Sequence, residues 1–317
     1  MSTLHTPKSP IIDNRIKFRH LQCFIEVVRQ GGVVRAADYL SLTQPAVSKK
    51  LRELEEMLGV ELLNRQRKGV ELTRFGEVFL RYALNSTDAL REGIDRVSAS
   101  SRAEHSPVVI GVLPTVATTV MPKALRAFKA MMPYADITLL NSSNKMLLDA
   151  LRMSELDLVV GRLSTPAQMQ GLVFEQLYQE RVAIVVRPGH PVLKESLISL
   201  EVLSDYPILM PPPDSVIRSL VDQFMILNGI RPNANRIETI SHAFGRSYVR
   251  DTDTVWLISH GAVDADINEG RLAELPYDFS STLGPVGIAT RVDSHPSEAQ
   301  RLLMDQVRLV IQSMHTP

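Results

Sequence analysis

The run Leu42-Thr43-Gln44-Pro45-Ala46-Val47-Ser48-Lys49-Lys50-Leu51-Arg52-Glu53-Leu54 constrains this chain more than any other stretch. Thr43 is a good N-cap, and Pro45 in the first turn forfeits only an N–H that has no helical partner there. Val47, Leu51, Leu54 and Leu58 then step by four, three and four, an apolar stripe at helical period. At about 100° per residue, Pro45, Ser48, Lys49 and Arg52 fall on the opposite face. One face is built for a core. The other offers a hydroxyl, an ammonium and a guanidinium to solvent, with the Gln44 amide at the tip. Short polar groups and cations on an apolar backing suit the reading of base edges in a major groove. An ordinary amphipathic surface helix has the same pattern, so the neighbourhood has to decide.

Leu21, Phe24, Ile25 and Val28 mark an earlier helix, ended by Gly31-Gly32. A short second helix carries Arg35, Ala36, Ala37 and Leu40, its alanines small enough for close helix approach. Ser41-Leu42 turns tightly into the third. Helix, short helix, tight turn, helix is a helix-turn-helix arrangement. Behind it, Gly59 stops the third helix and Leu62-Leu63 starts an extended segment. Arg65-Gln66-Arg67-Lys68-Gly69 forms a basic turn, and Val70-Glu71-Leu72 alternates back. That is a hairpin with cations at its tip, suited to phosphates or a minor groove.

These residues resemble a known family. Ala36-Ala37-Asp38-Tyr39-Leu40-Ser41-Leu42-Thr43-Gln44-Pro45-Ala46-Val47-Ser48, Leu54-Glu55-Glu56-Met57-Leu58-Gly59-Val60, Arg65 and Leu72-Thr73 look like the winged-helix signature of LysR-type transcriptional regulators. Two positions depart from it: Leu63 stands where the family often has Phe, and Phe75 where Ala often precedes Gly76. Both remain apolar and bear on packing. The resemblance implies a DNA-binding set of Arg35, Thr43, Gln44, Pro45, Ser48, Lys49, Arg52, Arg65, Arg67 and Lys68. It also implies a dyad-symmetric duplex site, self-association as a dimer and further as a tetramer, and it allows RNA polymerase as a further partner.

The length of 317 residues suggests two or three domains. Net charge is zero overall, but residues 1–92 carry net +4 and residues 93–317 net −4. That polarity suits a nucleic-acid module joined to a mildly acidic one. The first ten residues lack an apolar run, which argues against a signal peptide. No apolar run reaches the roughly 18 residues of a membrane span. The lone Cys23 fits a reducing cytoplasm and reads as a buried small residue.

Thr73 caps a long helix expected to reach residue 98, with Phe75, Phe79, Tyr82, Leu90, Ile94 and Val97 on one stripe and Ser86 interrupting it. A partner helix is one cover for such a stripe, and the chain's own C-terminal part is another. In the family this linker helix is the dimer interface. Residues 98–107 are small and polar, a hinge. The expected domains are therefore a winged helix-turn-helix over 1–72, a linker helix and hinge over 73–106, and an effector-binding domain over 107–317.

From residue 108 strands and helices alternate: strands at 108–113, 137–140 and 158–161, and helices at 114–131 and 145–152. A second set has strands at 182–186, 208–210, 237–240 and 255–258, with helices at 215–228 and 241–250. A strand at 286–290 and a helix over 297–313 then return to the first set. Such alternation argues for mostly parallel sheets covered by helices. Lobe I is expected at about 107–164 and 276–317, lobe II at about 165–275, an α/β layout like periplasmic solute-binding proteins. Ligands in such folds sit at strand carboxyl ends, between the lobes.

Polar groups recur at those ends. Thr115 follows the first strand, Ser143 and Asn144 the second and Arg162 the third; Ser215 and Thr239 do so in the second lobe. Each is also an ordinary N-cap or loop residue. Together they favour a small anion held by helix N-termini and a guanidinium, tempered by Asp214 nearby and by the chance that Arg162 pairs with Asp157 or Glu155. The family resemblance carries over most closely to Thr115, Asn144, Arg162, Ser215 and Thr239. No Gly-x-Ser-x-Gly, Walker A or His-Glu-x-x-His motif occurs, so no enzyme and no cofactor beyond a small-molecule effector is expected. An enzymatic or solute-binding domain with a protein-docking N-terminal module stays as the rival; steep salt dependence of DNA binding would exclude it. Ile16-Lys17-Phe18-Arg19-His20-Leu21-Gln22, Leu158-Val159-Val160-Gly161-Arg162-Leu163 and Val255-Trp256-Leu257-Ile258-Ser259-His260-Gly261 are similar to regulators of protocatechuate catabolism. That likeness implies a di- or tricarboxylate from ring cleavage, although sugar-responsive relatives share the layout.

Overall fold

The computed structural model describes residues 15–64, 70–98, 107–194, 200–230, 235–292 and 294–315, in two compact units, Met1–Asp95 and Arg96–Pro317. The first unit holds α1 (Phe18–Arg29), α2 (Val33–Tyr39), α3 (Gln44–Leu58) and most of α4 (Arg74–Ser98). Its core is Phe24, Ile25, Val27, Ala36, Ala37, Val47, Leu51, Leu54 and Leu62, closed from α4 by Leu80, Ala83 and Leu84. Ser41 makes the α2–α3 turn at φ 55°, left-handed geometry unusual for a residue other than glycine. The Leu42 N–H donating to Ala37 O at 2.9 Å locks it.

Thr43 caps α3 by accepting from Ala46 N, and Gly59 ends it in the left-handed region. The hairpin behind it is, among the described residues, a single antiparallel bridge between Leu63 and Leu72. Its anchor comes from the side: buried Glu55 accepts from Leu62 N at 2.9 Å and Leu63 N at 3.3 Å. Thr73 accepts from Gly76 N at 3.0 Å, starting α4. Gly76 lets that helix meet the hairpin, since a Cβ there would lie 2.1 Å from Leu62 O.

The α4 stripe differs in one member from the expected set. Phe79 turns inward, its ring 5.6 Å from Phe24, and Val78 takes its place beside exposed Phe75, Tyr82, Leu90 and Ile94. Ser86 satisfies its hydroxyl by donating to Tyr82 O at 2.8 Å. Val97's side chain and residues 99–106 of the expected hinge lie outside what is described.

The second unit is two lobes, each around a five-stranded sheet. In chain order its elements begin β1 (Val108–Val112), α5 (Pro114–Ala117), α6 (Met121–Met131), β2 (Ile137–Leu140), α7 (Asn144–Arg152), β3 (Leu158–Arg162), β4 (Leu172–Glu180), β5 (Val182–Val186) and β6 (Ile208–Met210). There follow α8 (Arg218–Leu227), β7 (Arg236–Glu238), α9 (His242–Asp251), β8 (Val255–Ser259), α10 (Asp264–Asn268), β9 (Ala273–Glu274), β10 (Gly284–Arg291) and α11 (Glu298–His315). Strand order is β2-β1-β3-β10-β4 in the first lobe and β7-β6-β8-β5-β9 in the second.

Both sheets are mixed, a correction to the mostly parallel expectation: β10 runs antiparallel to β3 and β4, and β5 antiparallel to β8 and β9. These are the strands that enter each lobe from the other: β5 follows β4 with only Arg181 between, and a single 3-10 turn, Ser280–Thr282, leads into β10. The lobe boundary also moves. β4 belongs to the first sheet, so the chain crosses at Glu180-Arg181 rather than near residue 165, and recrosses between Thr282 and Gly284 rather than near 275. As an edge strand rich in Glu, Gln and Tyr, β4 carries no strong apolar run.

The single helix expected over 114–131 is two, because Pro122 lacks an N–H and its ring clashes with the carbonyl four residues back. The helix expected from Ser215 begins at Arg218. After three prolines the chain first makes turns, Ser215 N donating to Pro212 O and Arg218 N to Ser215 O.

Candidate DNA-binding face and effector cavity

On α3 the apolar stripe sets the polar face. Val47, Leu51 and Leu54 are buried, which leaves Gln44, Pro45, Lys49 and Arg52 exposed and Ser48 partly so. Their intramolecular ties are loose: Arg52 Nε donates to Ser48 O at 3.4 Å, and Lys49 Nζ lies 3.9 Å from Glu53. Thr43 is exposed with its oxygen engaged in the cap, and Arg35 is exposed on α2. Gln44, Pro45, Ser48, Lys49 and Arg52 thus share one helix face. Arg65, Arg67 and Lys68 lie outside the described residues.

In the second unit one cavity is walled by Thr115, Ser143, Asn144, Arg162, Ser215 and Thr239, with exposed Asp214 also contributing. Each is placed by the end of a strand. Leu113 seats Thr115 in α5, and the Thr115 hydroxyl has no partner among the described residues. α5 has only four residues, so it supplies little of the helix-terminus charge expected there. Ser143 caps α7, and buried Asn144 donates to Ser164 Oγ at 2.8 Å. Across the cleft Thr239 accepts from Ser241 N at 2.9 Å, and Ser241 in turn caps α9.

Arg162 is the most constrained group. It is 5 % exposed, and its Nη2 donates both to Glu180 O at 3.0 Å and to Thr282 O. It does not pair with Asp157, whose carboxylate accepts from Val109 N at 2.7 Å. Glu180 and Thr282 flank the two crossovers between lobes, so one guanidinium nitrogen ties both. Nη1 is shielded from solvent and has no hydrogen-bond partner among the described residues. Gly284 makes room: a Cβ there would meet Nη2 at 2.5 Å. Burial lowers the Arg162 pKa from its ordinary value, with Glu180 opposing.

Glu180 is itself buried and pushed up by desolvation. Its carboxylate accepts from Gly261 N at 2.9 Å and from the Tyr178 hydroxyl at 3.1 Å. Gly261 O in turn accepts from Thr118 Oγ1 at 3.0 Å, a second tie between lobes. Glu180, Thr282 and Gly284 went unnoticed in the sequence; the Gly284-Pro285 pair was the one local sign of a constrained strand start. His242 also lines the cavity and was missed, as an isolated histidine without metal spacing.

Two family models match. Residues 18–77 fit the bacterial regulatory helix-turn-helix protein, lysR family, and residues 101–311 the LysR substrate binding domain. The chain belongs to the LysR family: it is a DNA-binding transcription regulator with an effector-binding domain. It is 48% identical over 298 residues to the HTH-type transcriptional regulator PcaQ of Agrobacterium fabrum, covering 94% of this chain and 96% of that one. It is 34% identical to YdcI of Escherichia coli K12, an uncharacterised HTH-type regulator, over 95% and 98% of the two chains. Among solved structures, full-length LysG of Corynebacterium glutamicum with bound effector Arg superposes with TM-score 0.66 at 19% identity, covering 94% and 99%. Full-length CbnR complexed with its target DNA gives 0.54 at 22%, covering 93% and 100%.

Proposed function

We propose that this regulator governs genes of aromatic-acid catabolism, binding a dyad-symmetric DNA site as a dimer and answering to a small organic anion in the cavity between its lobes. The pathway is supported by the likeness to protocatechuate-catabolism regulators and by the 48% identity to PcaQ. Dimerisation is supported by exposed Phe75, Val78, Tyr82, Leu90 and Ile94 along α4, an apolar stripe that a twin helix would cover. Tetramers, a contact with RNA polymerase and a cytoplasmic location belong to the same reading by family likeness. No helix of the described residues is long and apolar enough to cross a membrane.

The observation that carries the effector reading is Arg162, a lining residue of the cavity whose buried Nη1 is a cationic donor without a partner among the described residues. A carboxylate supplies Nη1 with the missing acceptor through a charge-assisted bond, while Nη2 stays on Glu180 O and Thr282 O. Because Nη2 of the same group holds both crossovers, a ligand on Nη1 bears directly on the angle between the lobes. Differential affinity for one angle shifts the population towards it.

The test is fluorescence anisotropy of the full chain on a dyad-symmetric duplex from its own upstream region, with and without aromatic and ring-cleavage acids. Affinity should fall steeply with salt, and one class of acid should change the binding or the length of the protected site. Arg162→Lys should abolish that response while leaving DNA affinity intact, since one ammonium cannot hold two crossover carbonyls and present a separate planar donor to the ligand. A response retained in Arg162→Lys would refute the cavity assignment. A shallow salt dependence would refute the DNA reading.

A further inference from the structure

We infer that the 3-10 turn His260–Ala262, which follows β8 in lobe II, is a latch on lobe I, and that the effector works against it. The action on the effector rests on the cavity being its site. Each residue of the turn is bonded outside it. His260 N donates to Arg181 O at 3.1 Å, at the first crossover. Gly261 N donates to the Glu180 carboxylate at 2.9 Å, and Gly261 O accepts from Thr118 Oγ1 at 3.0 Å. Ala262 O accepts from Arg246 of α9. The two bonds on Gly261 reach lobe I, one at the end of β4 and one at the C-cap of α5.

Gly261 lacks a side chain for a reason of space. A Cβ there would lie 2.6 Å from Thr115 O and 2.9 Å from Glu180 Oε2. The backbone of lobe II thus meets the backbone of lobe I with nothing between them. A 3-10 turn of ordinary negative φ suits alanine as well, so the glycine serves the contact rather than the conformation.

The same residues lead back to the cavity. Thr115 lines it from lobe I and Ser259 from lobe II. Glu180, whose carboxylate grips Gly261, has its carbonyl held by Arg162. A ligand that draws on Arg162, or parts Thr115 from Ser259, therefore strains the latch. On its outer side the turn borders an open cavity of about 320 Å³, shared by Thr119, Tyr178, Asp264 and Leu283, which gives it room to withdraw. While the latch holds, a ligand that needs the other arrangement meets it only in the small fraction of chains already released, and its affinity falls by that fraction.

Footprinting of the full chain on its own operator, with hydrogen exchange of residues 259–263, tests the latch before any acid is added. Gly261→Ala should push the turn off lobe I, speed exchange of those amides about tenfold and change the length of the protected site. Thr118→Val keeps the shape and loses the hydroxyl. It should act in the same direction to a smaller degree, and it guards against a misfolded alanine variant, while Thr118→Ser should behave as wild type. Calorimetric titration with benzoate, protocatechuate and adipate follows. Acids that bind the wild type should bind Gly261→Ala about tenfold tighter. Unchanged exchange in both variants, or faster exchange with an unchanged footprint, would overturn the inference. So would acid binding that is unchanged or weakened in Gly261→Ala. If no acid binds any form, the cavity assignment fails and the action on the effector falls with it, while exchange and footprint still decide the latch.

Discussion

The recognition face of α3 and the cavity between the lobes both present cations, but in opposite states. Lys49 and Arg52 stand in water with loose ties at 3.9 and 3.4 Å. Arg162 is buried and bonded to two backbone carbonyls from distant parts of the chain. An exposed cation is free to follow a phosphate or a base edge, and its loss costs the fold little. A buried one is part of the scaffold, so whatever binds it also acts on the scaffold. Under the proposed function, the contrast separates a reading surface from a responding one.

The sharpest way to break the comparison is to damage the head through its scaffold rather than its surface. Gly76→Ala sets a methyl against Leu62 O, a backbone atom that cannot move aside cheaply. Loss of roughly 3 kcal/mol or more is expected. Thermal unfolding should show it, with DNA affinity falling in step.

Next comes the acid response, which belongs to the regulatory unit. His242 has its pKa lowered from 6.5 to about 4, so between those values the unfolded chain binds the extra proton. Its contribution is therefore complete above pH 6.5 and is lost as pH falls towards 4, by at most ~3 kcal/mol. Burial raises Glu274, but hydrogen bonds from His260 and Arg181 outweigh it and hold the carboxyl at about 2. Its contribution is complete above pH 4.5 and lost below that, towards pH 2. Denaturant titrations at stepped pH should resolve two windows, and His242→Phe should shrink only the upper one, which His20 and His190, also lowered by burial, share.

Smaller effects sharpen the surface side. Arg52→Ala should cost ~1–3 kcal/mol at one base position and relax selectivity there. Lys49→Ala should cost less than about 1 kcal/mol for every sequence and reduce the salt slope by roughly one. Competition binding against operator and random duplexes separates the two, and equal losses from both substitutions would remove the base-reading role of Arg52.

What was legible in the sequence follows the same divide. The α3 face could be read because Val47, Leu51 and Leu54 fix its orientation within thirteen residues, and the polar side needs no partner elsewhere. The cavity residues were legible one at a time, as polar groups after strands. Their wiring was not: Arg162 meets carbonyls 18 and 120 residues away, and no local pattern encodes such a meeting. β4 escaped because an edge strand needs no apolar face on both sides. The break between α5 and α6 was announced by Pro122 but overridden by the apolar run around it. His242 gave no sign, because an isolated histidine at the start of a helix does not reveal that it comes to line a cavity.

The double tie made by Arg162 would place the proposed anion's anchor at the axle of the lobes rather than at their rims. A molecule gripping two rims must span the gap to close it. One seated at an axle sets the angle by how far its other end reaches. Acids of one headgroup and graded length should then divide into agonists, which touch the far lobe, and antagonists, which occupy the axle without turning it. A short carboxylate that binds Arg162 and stops there would compete with the natural signal and leave the gene silent to it.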